Sequence, residues 1–361
     1  MSNVVHLTFP SRAQTKAARH LSLLENFAYD RRVMEDVFWL KENAELLNIM
    51  ECTGTAPDAA ALETHRMFYD TIEKRMGFFP QYYRFLLSIC LDLEDMGLAG
   101  TKGEKLVNWV ADQGLARAEM SDLQRAEARR LMRRRGRESD PEDIDLDRRL
   151  HDFISRPETF AVPNKKAAYE LTHVVFYLSE YGRVSPNLTE EAKNSLIFAG
   201  TLSYLDQNAD LLAEVCVAMR QAGLNPPAIW EAWLDRVTTG FVVAEGDRAV
   251  ARDDYHEFLV CNWARAAAGG EAFDRTLPHG RASYHLSAPA QGPLRTMSEC
   301  MFRLDDRRSD DWECMRPHVL DALTDDGRAV LESAEAACDD FGSFFAGFAR
   351  TGMRPSLELS A

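Results

Sequence analysis

The sequence predicts an all-α protein whose helical hairpins form a curved α/α array or a closed α/α barrel. Apolar residues recur at helical spacing along most of the chain, whereas strand-like alternation is confined to short pieces such as VVHLTF and TGFVVAEG. An internal repeat is the third observation: with Asn43 aligned on Asn208, two segments share the pattern Leu-x-x-Asn-Ala-acid-Leu-Leu. Repeated helical hairpins are typical of solenoids and α/α barrels, with chance similarity between amphipathic helices as the alternative explanation.

Five regions follow one another along the chain. The first and third have strong helical periodicity, and the last is again periodic. The second contains RAEARRLMRRRGRESDPEDIDLDRR, and such charge blocks are typical of solvated linkers or mutually paired surfaces. The fourth is rich in Gly, Pro, Ser and Ala, and either a lid or a disordered loop fits it. The predicted regions are an N-terminal helical region (1–120), a charged linker or surface arm (121–165), a central helical region with the candidate site (166–268), a long loop (269–293) and C-terminal helices (294–361).

Composition and charge exclude several classes of protein. Hydrophobic residues make up 46% and charged residues 27% of the chain, which is typical of a globular protein. The formal charge of −15 disfavours a nucleic-acid surface as the main binding site. No apolar run reaches the roughly 18 residues needed to cross a bilayer. The N-terminus lacks the features of a secretory signal, and the seven cysteines form no C-x-x-C pair, so we expect reduced thiols and a cytoplasmic protein.

The stretch AYELTHVVFYLSEYG, from Ala168 to Gly182, carries the first candidate site residues. At about 100° per residue, Glu170, His173, Tyr177 and Tyr181 fall on one stripe of a helix. The rest of the stretch is largely apolar, which predicts a central helix with polar side chains directed at a cavity or a neighbouring helix.

A second histidine, His256 in DDYHEFLVCNWARAAA, shares a helical face with apolar residues that include Val260 and Trp263. An inward-facing histidine is costly unless its ring nitrogens find partners, and most such residues are satisfied structural histidines. Two of them on separate central helices, one with Glu170 a turn away, favour a shared site.

The blocks ELTHVVFYLSEYG, NADLLAEV and DDYHEFLV resemble an uncharacterised family of all-helical bacterial proteins of unknown function. That family shares an E-x-T-H-x-x-F-Y helix, a D-L-x-x-E helix and a Y-H helix, and the resemblance covers about residues 39–268. Glu180 and Tyr181 stand where an aspartate and a phenylalanine are expected. The resemblance implies a common role for a set of eight residues: Glu170, Thr172, His173, Tyr177, Asp210, Glu214, Tyr255 and His256.

The first interpretation is an enzyme or small-molecule binding protein with its site between central helices. His173 would act as a general base because an unperturbed histidine titrates near neutral pH, and Glu170 would orient its ring. His256 and Tyr177 complete the predicted catalytic set. The predicted substrate-binding residues are Tyr181, Tyr255 and Thr172.

A sharper version of this interpretation is a site for iron or manganese. Glu170-x-x-His173 and Asp253-x-x-His256 match the i, i+3 pairs of carboxylate-bridged helical bundles. The predicted ligands are Glu170, His173, Asp253, His256, Asp210 and Glu214.

Two observations oppose the metal interpretation. The apolar stripe through Leu212 and Cys216 turns Asp210 and Glu214 towards solvent or the edge of an adjacent helix. No carboxylate of the first long helix stands out among three candidates, namely Glu35, Glu42 and Glu45.

Two further classes remain. Helical repeats expose extended concave surfaces, so a scaffold or regulatory protein that binds a protein partner is the main alternative. The arginine run could contact phosphates, but the adjacent acidic segment makes a nucleic-acid partner the weakest interpretation. The sequence lacks G-x-S-x-G, phosphate-loop, G-x-G-x-x-G and H-E-x-x-H motifs, so the reaction and substrate stay open.

Overall fold

A computed structural model describes residues 15–246, 253–278, 280–286 and 292–351. These residues form eighteen α-helices and two short strands, which confirms the predicted all-α class. The helices are α1 (Lys16–Glu25), α2 (Val37–Cys52), α3 (Ala59–Glu63), α4 (Arg66–Phe78), α5 (Tyr83–Asp95), α6 (Lys102–Asp112), α7 (Asp122–Arg133), α8 (Leu146–Ile154), α9 (Pro157–Phe160), α10 (Lys165–Leu178), α11 (Glu190–Leu205), α12 (Ala209–Gln221), α13 (Ala228–Gly240), α14 (Tyr255–Ala267), α15 (Leu294–Leu304), α16 (Trp312–Ala322), α17 (Asp325–Ala337) and α18 (Phe341–Ala349).

Six helices surround a cavity and contact one another in a closed order. Helix α2 contacts α5, α5 contacts α7, α7 contacts α10, α10 contacts α12, α12 contacts α14, and α14 contacts α2. Each of the six contributes side chains to the cavity wall. Whether a curved array or a closed α/α barrel best describes the whole chain stays a prediction, but the cavity itself lies inside a ring of helices.

Helix α12 is buried on nearly every side, which is why its carboxylates are less exposed than its sequence pattern indicates. Every residue from Leu211 to Met219 is buried, including Glu214 at 3% exposure. Asn208 caps the helix by accepting a hydrogen bond from the backbone N–H of Leu211. Packing against α10, α11, α13 and α14 leaves no solvent-facing stripe over these residues, so Glu214 is directed into the protein and not at solvent.

The charged segment 121–165 contains α7, α8 and α9, and α7 belongs to the ring around the cavity. Its inner face buries Ala126, Ala128 and Leu131. Directly after its C-terminal end, Arg134 and Arg135 pair with carboxylates of α5, which lie far away in sequence. The predicted pairing with nearby acidic residues occurs as well, at Arg133–Glu138, Arg125–Asp143 and Arg149–Asp143.

Strand β2 (Ala282–His285) lies within the predicted long loop 269–293 and pairs with β1 (Val242–Glu245) as a two-stranded antiparallel sheet, with α14 between the strands in sequence. Residues 279 and 287–291 of that loop lie outside the described residues, as do residues 1–14 and 352–361 of the terminal regions. A π-helical turn (Asn26–Asp30) follows α1 and precedes α2. Buried Arg31 then donates to buried Glu42, which ties this turn to α2.

The seven cysteines are all free thiols: five are buried, Cys52 is half-buried and Cys314 is exposed. Across the part of the chain that the structure describes, no helix is both long enough and apolar enough to cross a bilayer.

Candidate active site

The ring of helices encloses a cavity of about 420 Å³ whose wall combines aromatic rings with ionisable side chains. His173, Tyr177 and Tyr181 reach it from α10 and the turn that follows, and His256 and Trp263 reach it from α14. The predicted histidines thus line one cavity, together with two of the three predicted tyrosines, Tyr177 and Tyr181. A larger recess of about 880 Å³ lies beside α17 and α18, but its lining contains no histidine.

His256 is held between two carboxylates, one on each side of its ring. Its Nδ1 lies 2.5 Å from Oε1 of Glu45 on α2, and its Nε2 lies 3.1 Å from Oδ1 of Asp210 on α12. Burial by itself lowers the pKa of His256, but the charges of Glu45 and Asp210 outweigh it and raise the pKa to about 11. Without another ligand, the ring is therefore an imidazolium across the physiological pH range.

The contact between His256 and Asp210 is an ion pair without good hydrogen-bond geometry. Asp210 Oδ1 is buried and has no hydrogen-bond partner among the described residues, although Nε2 of His256 is near it. The other oxygen, Oδ2, accepts a hydrogen bond from the hydroxyl of Tyr169. Burial raises the pKa of Asp210, but its partners His256 and Tyr169 lower it further than burial raises it. Oδ1 is thus a charged oxygen that can still accept a hydrogen bond or bind a cation.

Asp210, Glu214 and His256 form a group that could hold a metal ion. Each offers one ligand atom, and these atoms all lie within 4.8 Å of one another. Asp210 and Glu214 are one helical turn apart on α12, so both carboxylates are directed to the same side. One imidazole and two carboxylates are a donor set suited to manganese, iron or zinc. Glu45 on Nδ1 occupies the position from which a carboxylate commonly orients a metal-bound histidine.

His173 lies beside this group with a defined tautomer. Its Nδ1 lies 2.8 Å from the backbone carbonyl oxygen of Tyr169, and a carbonyl oxygen can only accept, so Nδ1 carries the proton. Nε2 is then the basic nitrogen, and no hydrogen bond within the described part of the chain occupies it. The same Nδ1 is 3.5 Å from Oε2 of Glu214.

Thr172 connects Glu214 to the backbone. Its hydroxyl lies 2.6 Å from Oε2 of Glu214 and 2.9 Å from the carbonyl oxygen of Tyr169, but it has a single proton to donate. Burial raises the pKa of Glu214. In its acid form Glu214 would donate to Thr172, and Thr172 would donate to the carbonyl, so that every group is satisfied. Glu214 is therefore poised to take up or release a proton.

Three of the predicted site residues lie elsewhere. Glu170 is directed away from His173, with a 39% exposed side chain whose nearest cation is Lys166 at 4.0 Å. Asp253 pairs with Arg31 at 2.9 Å and accepts from the backbone N–H of Tyr284. The ring of Tyr255 lies over the guanidinium of Arg31. Asp253 and Tyr255 thus contact Arg31, which also pairs with Glu42 of α2, and Asp253 links Arg31 to strand β2.

Sequence reasoning missed Glu45, Tyr169 and Trp263. A signal for Glu45 was present in the repeat, because the acidic position that follows Asn-Ala is Glu45 in one copy and Asp210 in the other. The same repeat did not indicate that both copies would meet at one histidine. Tyr169 is hidden among apolar neighbours, and its role depends on the position of α12.

Comparison with curated proteins finds no match to this chain. Comparison with solved structures also finds none. One family model, described as "Domain of unknown function (DUF6902)", matches residues 1–351 and so spans nearly the whole chain. The expectation of an uncharacterised family agrees with this match. The chain belongs to the DUF6902 family.

Proposed function

We propose that the protein is a metal-dependent enzyme that acts on a small molecule bound inside the ring of helices. The observation that supports this most is the convergence of Asp210, Glu214 and His256 within 4.8 Å, because Glu214 and His256 also line a 420 Å³ cavity. In this proposal Nε2 of His256 and one oxygen of each carboxylate hold a divalent ion of iron or manganese. Such an ion supplies Lewis acidity to an oxygen of the substrate or of water.

The chain's own groups would then handle the protons. His173 is the proposed general base, since it lines the same cavity and its Nδ1 donates to Tyr169, which leaves Nε2 as the atom that would take up a proton. Thr172 donates to Oε2 of Glu214 and would orient this carboxylate as a ligand. Glu45 orients His256 by accepting from Nδ1.

Metal analysis of the purified protein, followed by titration of the chelator-treated protein with Mn²⁺, Fe²⁺ and Zn²⁺, tests the proposal. We expect one ion per chain. Asp210→Asn should weaken binding strongly, whereas Asp206→Asn, which alters a carboxylate paired with Lys165 outside the cluster, should not. A protein that is isolated without metal and binds none of these ions in calorimetry would refute the metal centre.

A second candidate, docking of a protein partner, has one specific observation in its favour. Exposed apolar side chains gather beside a shallow recess of about 180 Å³ lined by Val37 and Phe79. Phe38 is 55% and Phe78 is 76% exposed. Patches of this kind often mark interaction sites. Replacing Phe78 with serine should abolish capture of a partner from lysate while leaving metal binding unchanged. If the Phe78→Ser protein still captures the partner, this candidate is removed.

A further inference from the structure

The cavity continues along the same helices into a second, deeper region beyond the cluster around His256. On α14, His256 and Trp263 are seven residues apart, and on the α10 side His173 and Tyr181 are eight apart. At 1.5 Å per residue, these spacings place the two regions about 10 Å apart. Both regions line the same cavity, so one ligand could contact both.

Aromatic rings form one wall of this deeper region. The rings of Phe176, Tyr181 and Trp263 pack side by side with centroids 4.8 to 5.8 Å apart, and Tyr177 adjoins Tyr181. Tyr181 follows the end of α10 in a left-handed backbone conformation, with φ of 57°.

Unpartnered hydrogen-bond donors lie at the same end. Asn48, 8% exposed, lines the cavity, and its amide nitrogen is buried without a hydrogen-bond partner. Arg130 is 4% exposed and lies outside the cavity lining, but its guanidinium carbon is 4.1 Å from the centre of the Tyr181 ring, which does line the cavity. Its Nε and Nη2 atoms are buried without hydrogen-bond partners among the described residues. Buried donors without acceptors are uncommon in proteins, and a ligand is one way to satisfy them.

We propose that the natural ligand is a small aromatic acid. Its planar ring packs against the wall formed by Phe176, Tyr181 and Trp263, and an anionic oxygen accepts a hydrogen bond from the Asn48 amide. The guanidinium of Arg130, beside Tyr181, attracts the negative charge. The reacting part of the molecule then extends to the His256 cluster. This inference rests on the proposed function because it places the ligand in the same cavity, and it adds the chemical class of the substrate.

Calorimetry with three probes tests the ligand class directly. 2-Naphthoate carries both features, 2-naphthamide lacks the charge, and cyclohexanecarboxylate lacks the aromatic ring. We expect 2-naphthoate to bind at least about tenfold more tightly than either of the other two, the difference one charge-assisted hydrogen bond or one stacked ring can supply. Equal binding of the three probes, or no binding of 2-naphthoate, overturns the proposal without requiring any variant.

Variants of Asn48 and Arg130 test where the carboxylate of the bound ligand lies. Asn48→Asp, nearly isosteric, should weaken 2-naphthoate by about tenfold or more through charge repulsion while affecting 2-naphthamide little. Arg130→Met should weaken 2-naphthoate similarly, and Arg133→Met, on the same helix but 39% exposed and paired with Glu138, serves as the control. Equal affinity for 2-naphthoate in the parent, Asn48→Asp and Arg130→Met proteins would overturn the assignment.

The titrations are made on chelator-treated and manganese-loaded protein. Binding of 2-naphthoate without any metal binding would refute the metal centre and leave the ligand class intact. Metal binding without 2-naphthoate binding would do the reverse.

Discussion

Glu45 and Asp210 occupy equivalent positions in the two copies of the repeated segment, and they flank the two ring nitrogens of one histidine. Glu45 lies 2.5 Å from Nδ1 of His256 and Asp210 lies 3.1 Å from Nε2. Both copies place the acid directly after Asn-Ala on a helix of the ring, and α14 lies against both helices. The two copies of the repeated segment therefore each contribute one carboxylate to the site, and α14 contributes the imidazole that lies between them.

Glu45→Gln should weaken metal binding by about 10- to 100-fold, the usual effect of losing a carboxylate that orients a metal-bound histidine. The amide keeps the size of the side chain but removes the negative charge that strengthens the His256 imidazole as a metal ligand. Calorimetric titration with Mn²⁺ measures the change. Glu35→Gln, at a 74% exposed carboxylate preceding α2, is the control. Unchanged affinity in Glu45→Gln would mean that Glu45 only neutralises an imidazolium.

The sequence predicted the helical class, two histidines and two tyrosines of the cavity wall because these depend on local periodicity. The partners of those side chains depend on which helices become neighbours. Glu170 was favoured as the partner of His173 because they are one turn apart, yet Glu214 from α12 lies nearer to the ring nitrogen. Local spacing can place a residue on a face, but it cannot identify what packs against that face.

Substitutions at Glu214 and Glu170 should therefore have unequal effects. Glu214→Gln removes a proposed ligand and should reduce affinity for Mn²⁺ by at least about tenfold, or 1.4 kcal/mol. Glu170→Gln should change it by less than about twofold, because this side chain is 39% exposed and directed towards Lys166. Folding stability should change by about 1 kcal/mol or less in both, since Gln preserves the shape and the Glu214 pKa is already raised by burial. Equal loss of affinity in both variants would restore the pairing of Glu170 with His173.

The arginine-rich segment allows a test of whether its arginines stabilise the fold or are available to bind a ligand. The Arg134 guanidinium pairs at 2.6 Å with Asp92, which is fully buried, and also with Asp95. Arg134→Gln should therefore lower the free energy of unfolding by about 3–5 kcal/mol, because it leaves a buried carboxylate unpaired. Arg133→Gln, at an exposed pair with Glu138, should cost about 0–1 kcal/mol. Urea denaturation measures both; equal small effects would argue that Arg134 is available for an external ligand.

The buried side chain of His65, outside the cavity lining, predicts how folding stability depends on pH. His65 is buried, its Nε2 lies 2.8 Å from Oδ1 of Asn43, and burial lowers its pKa to about 3. The folded state stays neutral while the unfolded state gains a proton below about pH 6.5. The stability due to neutral His65 is thus complete above pH 6.5 and is lost towards pH 3, by at most about 1.4 kcal/mol per pH unit.

His65→Gln removes this proton linkage. The stability difference between parent and variant should therefore shrink by about 1–2 kcal/mol between pH 7.5 and pH 5, as measured by urea denaturation at both values. A difference that is independent of pH would mean that His65 is protonated in the folded protein.

The last prediction separates chemistry from folding at His173. Its ring is 35% exposed, and only Nδ1 is held, by the carbonyl of Tyr169, while Nε2 is unoccupied. His173→Gln should therefore change the free energy of unfolding by less than about 1 kcal/mol, since no buried partner is left without a hydrogen bond. His65→Gln is the matched structural control and should cost about 1–3 kcal/mol at pH 7.5, because it disturbs the buried bond to Asn43.

If His173 is the general base, its substitution should spare folding and Mn²⁺ affinity, yet abolish turnover of any aromatic acid that the parent converts. Strong destabilisation by His173→Gln, comparable to that of His65→Gln, would instead assign His173 to the support of the fold and remove it from the proposed mechanism.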